Sequence, residues 1–283
     1  MITDGDVERW LCEDVGHHDV TNQVPGETTG RLVAKEDGVV AGLDAALAVF
    51  EYLGVDAEAV ADDGEPVADG DRVTAGQRVL RVRGPAREVL RGERPAVNVA
   101  SHASGVATAT AAAVAAAREG AECSPDADPD AVRVAATRKT TPGLRGVEKR
   151  AVVAGGGDTH RLDLSHMVMV KENHVAELGF EGAIERFRER VSFATQIEVE
   201  VERPEDGVRA AEAGADVVLF DNLDPDALRE GVAALPADTL AEASGGIGLD
   251  DVPAYAATGV DVISMGSLTH SADALDLSFY TEG

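Results

Sequence analysis

The sequence predicts an α/β protein with two regions: an irregular α+β layer, then a parallel β/α half too short to close as an eightfold barrel. Three observations predict it. After Val132, short apolar segments alternate regularly with helical stretches. Each of those segments ends in polar or glycine residues. Aromatic content is only 4% of 283 residues, and Ala, Val and Gly dominate the apolar set. That composition favours closely packed helices and parallel strands over an aromatic-rich β-sandwich.

In chain order, residues 4–15 can form a short helix, and the loop GHHDVTNQVPGETTG follows. Arg31–Ala41 alternates as a strand does, and Asp44–Leu53 reads as a helix. A strand over Arg78–Arg83 is bounded by turns at Gly70-Asp71 and Gly84-Pro85. Arg87–Arg118 is helical, with Pro95 expected as the first residue of a second helix. Its segment VATATAAAVAAAR suits a buried helix packed closely on its neighbours, and ECSPDADPDA is then a loop. Beyond it, VRVAA, MVMV, IEVEV, VVLF, TLAEA and VDVIS read as six strands, alternating with helices such as GAIERFRERV, EDGVRAAEAG and PDALREGVAAL.

The strand ends carry the functional signal. Thr137-Arg138-Lys139 follows the first strand and Lys171 the second. Glu200 lies near the end of the third, and Asp221 ends the fourth. Ser244-Gly245-Gly246 follows the fifth, and Gly266-Ser267 the sixth. In β/α barrels the active site forms at the C-terminal ends of the strands, and phosphate often sits at the last loops.

Charge sharpens this. With 52 acidic and 25 basic residues the net charge is −27, a field that opposes binding to nucleic acid or anionic membranes. Lysine is nearly purged, at four against twenty-one arginines, as expected of a surface kept hydrated in a salty cytoplasm. Activity is expected to fail at low salt, where these charges are unscreened. Yet Thr137–His174 holds seven basic residues and four acidic ones, net +3, with three of the four lysines. Such an island points to a multiply anionic, phosphorylated substrate. Lys offers a point charge to phosphate oxygens, and Arg offers a planar fork to carboxylates. Lys149 and Arg150, beside Glu148, are expected to be structural. In IEVEVE, Glu198, Glu200 and Glu202 share one face, with Glu202 near solvent. A carboxylate beside basic residues at Glu200 or Asp221 suits a cationic transition state or a metal ion.

Cys12 and Cys123 show no disulfide or zinc pattern. The N-terminus lacks the features of a signal peptide, and no stretch of about eighteen apolar residues is read as membrane-spanning. A cytoplasmic location is expected.

The motifs ERPAVNVASHASGVAT, TRKTTPGLRGVEK, GGGDTHR, MVKENH, IEVEVE, LFDN, EASGGI and VISMGSLTHS, with EDVGHHDVT near the start, closely resemble the quinolinate phosphoribosyltransferases. These enzymes are also called carboxylating nicotinate-nucleotide pyrophosphorylases, and the likeness covers nearly the whole chain. It implies an incomplete β/α barrel of the type II phosphoribosyltransferase kind, usually seven-stranded, at 105–269. An N-terminal α/β sandwich domain at 1–104 would be joined by the C-terminal tail, 270–283. The implied reaction joins quinolinate and phosphoribosyl pyrophosphate to give nicotinate mononucleotide, pyrophosphate and carbon dioxide. It uses Mg2+ and no organic cofactor, and it belongs to NAD biosynthesis.

The resemblance also implies residue roles. Arg138, His160 and Arg161 would grip the two carboxylates of quinolinate, with Arg94 reaching in from the other subunit of a homodimer, and higher oligomers are compatible. Lys139 and Lys171 would hold phosphates, and Thr137 would line the site. Ser244, Gly245, Gly246, Gly266 and Ser267 would cradle the ribose phosphate. Glu200 and Asp221 would stabilise charge on the ribose and help to place Mg2+. Pro95, Ala136 and Thr159 depart from the family pattern. His102, Ser104 and Thr108 are read as packing. Three other readings remain open: a transferase for another aromatic acid, a non-catalytic phosphate-ligand binder, and an aldolase with Lys171 as Schiff-base nucleophile.

Overall fold

The computed structural model describes residues 2–125 and 127–282, so Met1, Gly283 and Asp126 of the expected loop lie outside the described residues. The first elements are α1 (Asp4–Val15), β1 (Glu27–Ala34), β2 (Gly38–Val39), α2 (Leu43–Tyr52) and β3 (Asp56–Glu58). β4 (Arg72–Val73), β5 (Arg78–Pro85) and the long α3 (Ala86–Glu122) follow. Then come β6 (Arg133–Ala136), α4 (Arg145–Ala154), β7 (Val168–Val170), α5 (Glu172–Leu178) and α6 (Phe180–Arg188). The chain continues through β8 (Ile197–Val201), α7 (Pro204–Glu212), β9 (Val217–Asp221), α8 (Pro225–Ala234) and β10 (Leu240–Ser244). It ends with α9 (Val252–Ala256), β11 (Val262–Met265), α10 (Ser267–His270) and β12 (Leu277–Glu282).

Two compact units emerge. The first comprises Met1–Ala111, Thr141–Gly156 and Ser271–Gly283, and the second Ala112–Thr140 and Gly157–His270. The expected boundary at 104/105 therefore falls inside α3, and the segment bearing α4 belongs with the first unit.

In the first unit an antiparallel sheet runs β12-β1-β5-β3, around a core that includes Leu32, Phe50 and Leu80. The expected strand Arg31–Ala41 is in fact two. β1 starts at Glu27, because Glu27–Thr29 pair with Arg83–Pro85 across the sheet, a partner invisible to local pattern. It stops at Ala34, and the charged bend after it is held by the Asp37 carboxylate, which accepts from the Ala75 amide at 2.9 Å. Gly84-Pro85, expected as a turn, continues β5 to its end, where proline needs to donate no ladder bond. α1 begins in a capping box: the Thr3 hydroxyl accepts from the Asp6 amide at 3.3 Å, and the Asp6 carboxylate accepts from the Thr3 amide at 2.9 Å.

The expected break at Pro95 is absent, and α3 is one helix of 37 residues with Pro95 inside it. A proline there forfeits one backbone bond, but Ala96, Val97, Val99 and Ala100 around it are buried and hold the helix through. α3 is also the one described helix long and apolar enough by composition to cross a membrane, although half of its most apolar window is buried inside the protein. Its small residues allow close contact. A Cβ added at Gly120 would lie 2.3 Å from the Pro253 carbonyl oxygen, so only glycine fits. His102, Ser104 and Thr108, read as packing, make polar contacts within this unit: His102 Nε2 lies 2.9 Å from Glu148, Ser104 Oγ accepts from the Ala41 amide at 3.0 Å, and Thr108 Oγ1 from the Val39 amide at 2.9 Å. Glu148 and Lys149 are buried, and Arg150 lies 3.4 Å from Asp44, all within this unit.

The second unit is a parallel sheet of six strands, in the order β6-β11-β10-β9-β8-β7. Its edges, β6 and β7, are not paired to each other, so the barrel is open. The sheet has six strands among the described residues, where the resemblance implied seven, and an isolated parallel bridge joins Ala135 and Asp158 beside β6. Side chains alternate with period two. Val199, Val218, Phe220 and Ile263 are buried on one face, while Glu200, Leu219, Asp221, Glu242, Ser244 and Ser264 line a cleft on the other. That inner face is where the charged residues converge.

Candidate active site

The cleft has a volume of about 490 Å³ and lies at the C-terminal ends of the strands of the second unit. β6 delivers Thr137, Arg138 and Lys139 to it. The turn there is tied twice: the Lys139 amide donates to Thr137 Oγ1 at 3.1 Å, and Thr269 Oγ1 donates to the Lys139 carbonyl at 2.8 Å. β7 delivers Lys171, whose backbone amide donates to His174 Nδ1 at 3.0 Å and opens α5. Lys171 Nζ pairs directly with the Glu200 carboxylate near the end of β8. An ammonium held in an ion pair is a poor Schiff-base nucleophile.

Asp221 ends β9 and accepts from Asn222 Nδ2 at 2.7 Å. Burial raises the pKa of its carboxyl, and the neighbouring Glu200 charge raises it further, against the Asn222 hydrogen bond and the Lys171 and Lys139 charges. Two carboxylates thus crowd one another at adjacent strand ends, an arrangement that a cation relieves. Ser244 ends β10, and Gly245 and Gly246 follow it in a tight turn. Gly245 has φ 102°, and a Cβ there would lie 2.4 Å from Asn222 Oδ1, so the close approach of β9 and β10 at the cleft requires glycine. Paired with left-handed Gly246, it turns backbone amides as anion-binding loops do.

The floor is made by His160 and Arg161. His160 has φ 49°, and its amide donates to Asp158 Oδ1 at 2.7 Å. Its ring is engaged at both nitrogens: Nδ1 accepts from the Arg161 amide at 2.7 Å, and Nε2 lies 3.0 Å from Glu242 Oε2 and 3.6 Å from Glu198 Oε1. Burial opposes charge on this ring, and so does the Arg161 amide, which can donate only to an unprotonated Nδ1; Glu198 and Glu242 act the other way and raise the pKa. The Glu198 carboxyl is pushed up by burial and by the Glu242 charge, against His160 and Arg161. Arg161 is 8% exposed, its pKa lowered by desolvation, and its guanidinium donates to Met169 Sδ at 2.9 Å.

Two donors beside this floor lack partners. Arg138 Nε and Ser264 Oγ are buried without a hydrogen bond, and both residues line the cleft. An unmade bond at a buried donor costs about 1–3 kcal/mol, which an anionic ligand accepting from them would recover.

For a metal, Glu200 and Asp221 offer carboxylates at adjacent strand ends, with Lys171 already paired to Glu200. His160, Glu198 and Glu242 also bring ligand atoms within 4.8 Å of one another. The 3.0 Å contact of His160 with Glu242 is a hydrogen bond, shorter than the roughly 3.4 Å between two ligands of a tetrahedral ion. We therefore read that trio as sharing protons.

Of the residues expected at the site, Thr137, Arg138, Lys139, His160, Arg161, Lys171, Glu200, Asp221, Ser244, Gly245 and Gly246 line this one cleft. Gly266 borders it, since a Cβ there would lie 3.0 Å from Lys139 Cδ, and Ser267 follows at the start of α10. Arg94 is not among the lining residues. It lies on α3 in the first unit, with its side chain 61% exposed and 3.8 Å from Glu93. Met169, Asn222, Glu242 and Ser264 line the cleft without having been singled out. Counting back two residues from Lys171, Ser244 and Gly266 would have found Met169, Glu242 and Ser264, because a strand repeats its facing every second residue.

Comparison with known proteins is consistent along the whole chain. Residues 19–104 match the family described as quinolinate phosphoribosyl transferase, N-terminal domain, and residues 106–280 its C-terminal domain. A probable nicotinate-nucleotide pyrophosphorylase [carboxylating] of Methanothermobacter thermautotrophicus is 43% identical over 98% of both chains. The nicotinate-nucleotide pyrophosphorylase [carboxylating] of Homo sapiens is 42% identical over 96% of this chain and 89% of its own. A crystal structure of NadC from Streptococcus pyogenes superposes with a TM-score of 0.88, at 35% identity, over 100% of this chain and 99% of that one.

Proposed function

The chain belongs to the quinolinate phosphoribosyl transferase family, and from that premise we propose how its cleft carries out the reaction. The enzyme transfers phosphoribosyl from phosphoribosyl pyrophosphate to quinolinate with loss of carbon dioxide, forming nicotinate mononucleotide and pyrophosphate for NAD biosynthesis. The observation that supports this reading best is the convergence of Arg138, Lys139, Arg161 and Lys171 with Glu200 and Asp221 in one cleft of a chain with net charge −27.

Arg138 and Arg161, beside the His160 ring, receive the two carboxylates of quinolinate, and Arg138 Nε gains the partner it otherwise lacks. Lys139 and Lys171 hold phosphate oxygens, and the Ser244–Gly246 turn, with Gly266 and Ser267, cradles the ribose 5-phosphate. Glu200 and Asp221 face the ribose. As the bond to pyrophosphate lengthens, positive charge grows at the anomeric carbon, and these carboxylates stabilise it. The same pair would hold Mg2+, which supplies neutralising charge to the pyrophosphate. The pyridine nitrogen then bonds to the ribose. Its positive charge accepts the electron pair left when the adjacent carboxylate departs as carbon dioxide. Arg94 completes the carboxylate site of the neighbouring subunit in a homodimer, and the acidic surface suits a soluble enzyme in a salty cytoplasm.

The test is turnover of carboxyl-labelled quinolinate with phosphoribosyl pyrophosphate and Mg2+. Labelled carbon dioxide should appear in step with nicotinate mononucleotide, and Glu200→Ala should lower kcat at least a hundredfold with far less change in KM. Turnover of another aromatic acid without carbon dioxide would refute the assignment.

A further inference from the structure

The interior of the open barrel in the second unit has two mouths. One is the cleft. The other, of about 450 Å³, opens at the opposite ends of the strands, lined by Val217, Leu240 and Val262, which lie at the starts of β9, β10 and β11. Among the described residues, just two line both cavities, His160 and Glu242. His160 and Glu242 therefore stand in the wall between the cleft and the far mouth, one side of each facing either cavity.

That pair is built to stay in place. His160 Nε2 meets Glu242 Oε2 at 3.0 Å, and its Nδ1 is occupied by the Arg161 amide at 2.7 Å, so the ring has no free rotation. Glu242 is 2% exposed, and fully buried Glu198 stands behind the ring at 3.6 Å. Two apolar side chains would seal the gap as well, but they would take from the buried Arg161 one of its counter-charges, Glu242, and leave Glu198 and Glu200 to balance it.

We propose that the His160–Glu242 pair is a water barrier that closes the interior beneath the acceptor acid and thereby positions the reaction for transfer rather than hydrolysis. The inference rests on the phosphoribosyl-transfer reading above. In productive transfer the bond from the anomeric carbon to pyrophosphate breaks, its electron pair leaves with pyrophosphate, and the pyridine lone pair forms the new bond. Water arriving instead forms a carbon–oxygen bond and loses a proton. It yields ribose 5-phosphate and pyrophosphate, with no nucleotide and no carbon dioxide. A developing cationic carbon is open to this side reaction unless water is excluded. His160 and Glu242 act here as positioning residues, with the far mouth as the route they block.

The readout is pyrophosphate released per nucleotide formed, which should be about one in the wild type. Glu242→Ala joins the two cavities and should at least double that ratio. Glu242→Gln keeps the volume and an acceptor for His160, and should stay near the wild-type value. Should Glu242→Ala fail to fold, His160→Gly suits the left-handed backbone at 160 and opens the wall from its other side. Adding Leu240→Trp, which fills the far mouth, should bring either leaky variant back toward the wild-type ratio. An unchanged ratio in a folded opening variant overturns the inference, as does equal leakage from Glu242→Gln. A wild type that makes no nucleotide from quinolinate overturns the phosphoribosyl-transfer reading itself, and that result is seen before any variant is made.

Discussion

His160 condenses the electrostatics of the site into one side chain. Its ordinary pKa of 6.5 is raised to about 10 because Glu198 and Glu242 outweigh the cost of burial. A histidine raised on folding contributes stability in full below its unfolded pKa and loses it as pH climbs through the folded one. The stability difference between the wild type and His160→Asn should therefore be largest near pH 6 and shrink between about pH 6.5 and about pH 10. Asparagine is the appropriate replacement because it tolerates the left-handed backbone at this position. Urea melts across that range would measure the difference, and a flat one would mean that Nδ1 stays unprotonated to accept from the Arg161 amide while Nε2–H donates to Glu242. At this scale the sequence was partly legible. A basic island in an acidic chain singled out His160 and Arg161, but the acceptors that hold His160 sit on β8 and β10, 38 and 82 residues away. Charge composition names the cation and is silent about its counter-ions.

Elements were read best where the signal is local. Alternation along IEVEV and the short apolar run VVLF placed β8 and β9, and small side chains marked α3 as a packed helix. Reading failed where long-range packing decided. Pro95 looked like a helix start, yet buried neighbours carry α3 through it; Glu27–Thr29 looked like loop, yet β5 and β12 pair with this segment of β1. The demand of α3 for small residues is sharp at Gly120. Gly120→Ala places a methyl group 2.3 Å from the Pro253 carbonyl oxygen, a backbone atom that cannot swing away. Such overpacking costs about 1–3 kcal/mol, so the melting midpoint should fall by several degrees. Differential scanning calorimetry checks this, and a midpoint equal to wild type would mean that α3 and α9 can separate without cost.

For the whole molecule, the open question is assembly. Arg94 is exposed on the first unit and absent from the cleft lining, as suits a residue offered to another subunit. If each site of a homodimer takes Arg94 from its neighbour, Arg94→Ala and Glu200→Ala should each be nearly inactive alone. Mixed subunits, unfolded and refolded together, should recover about a quarter of wild-type activity, because a two-fold heterodimer concentrates both defects in one site and leaves the other intact. Absence of recovery in a mixture shown to contain heterodimers would place Arg94 within its own subunit's site.

The sequence by itself determined the succession of the six parallel strands, the alternation that turns Glu200 and Glu198 to one face, and a cationic set unusual in so acidic a chain. These are matters of local period and residue identity, and a linear reading captures both. Tertiary structure alone decided that β11 lies between β6 and β10, that the sheet has six strands, and that Glu242 meets His160 in the wall between the cleft and the far mouth. Such meetings depend on which distant strands pair and in what register. That choice is made by burial summed over the whole core, and no segment states it alone.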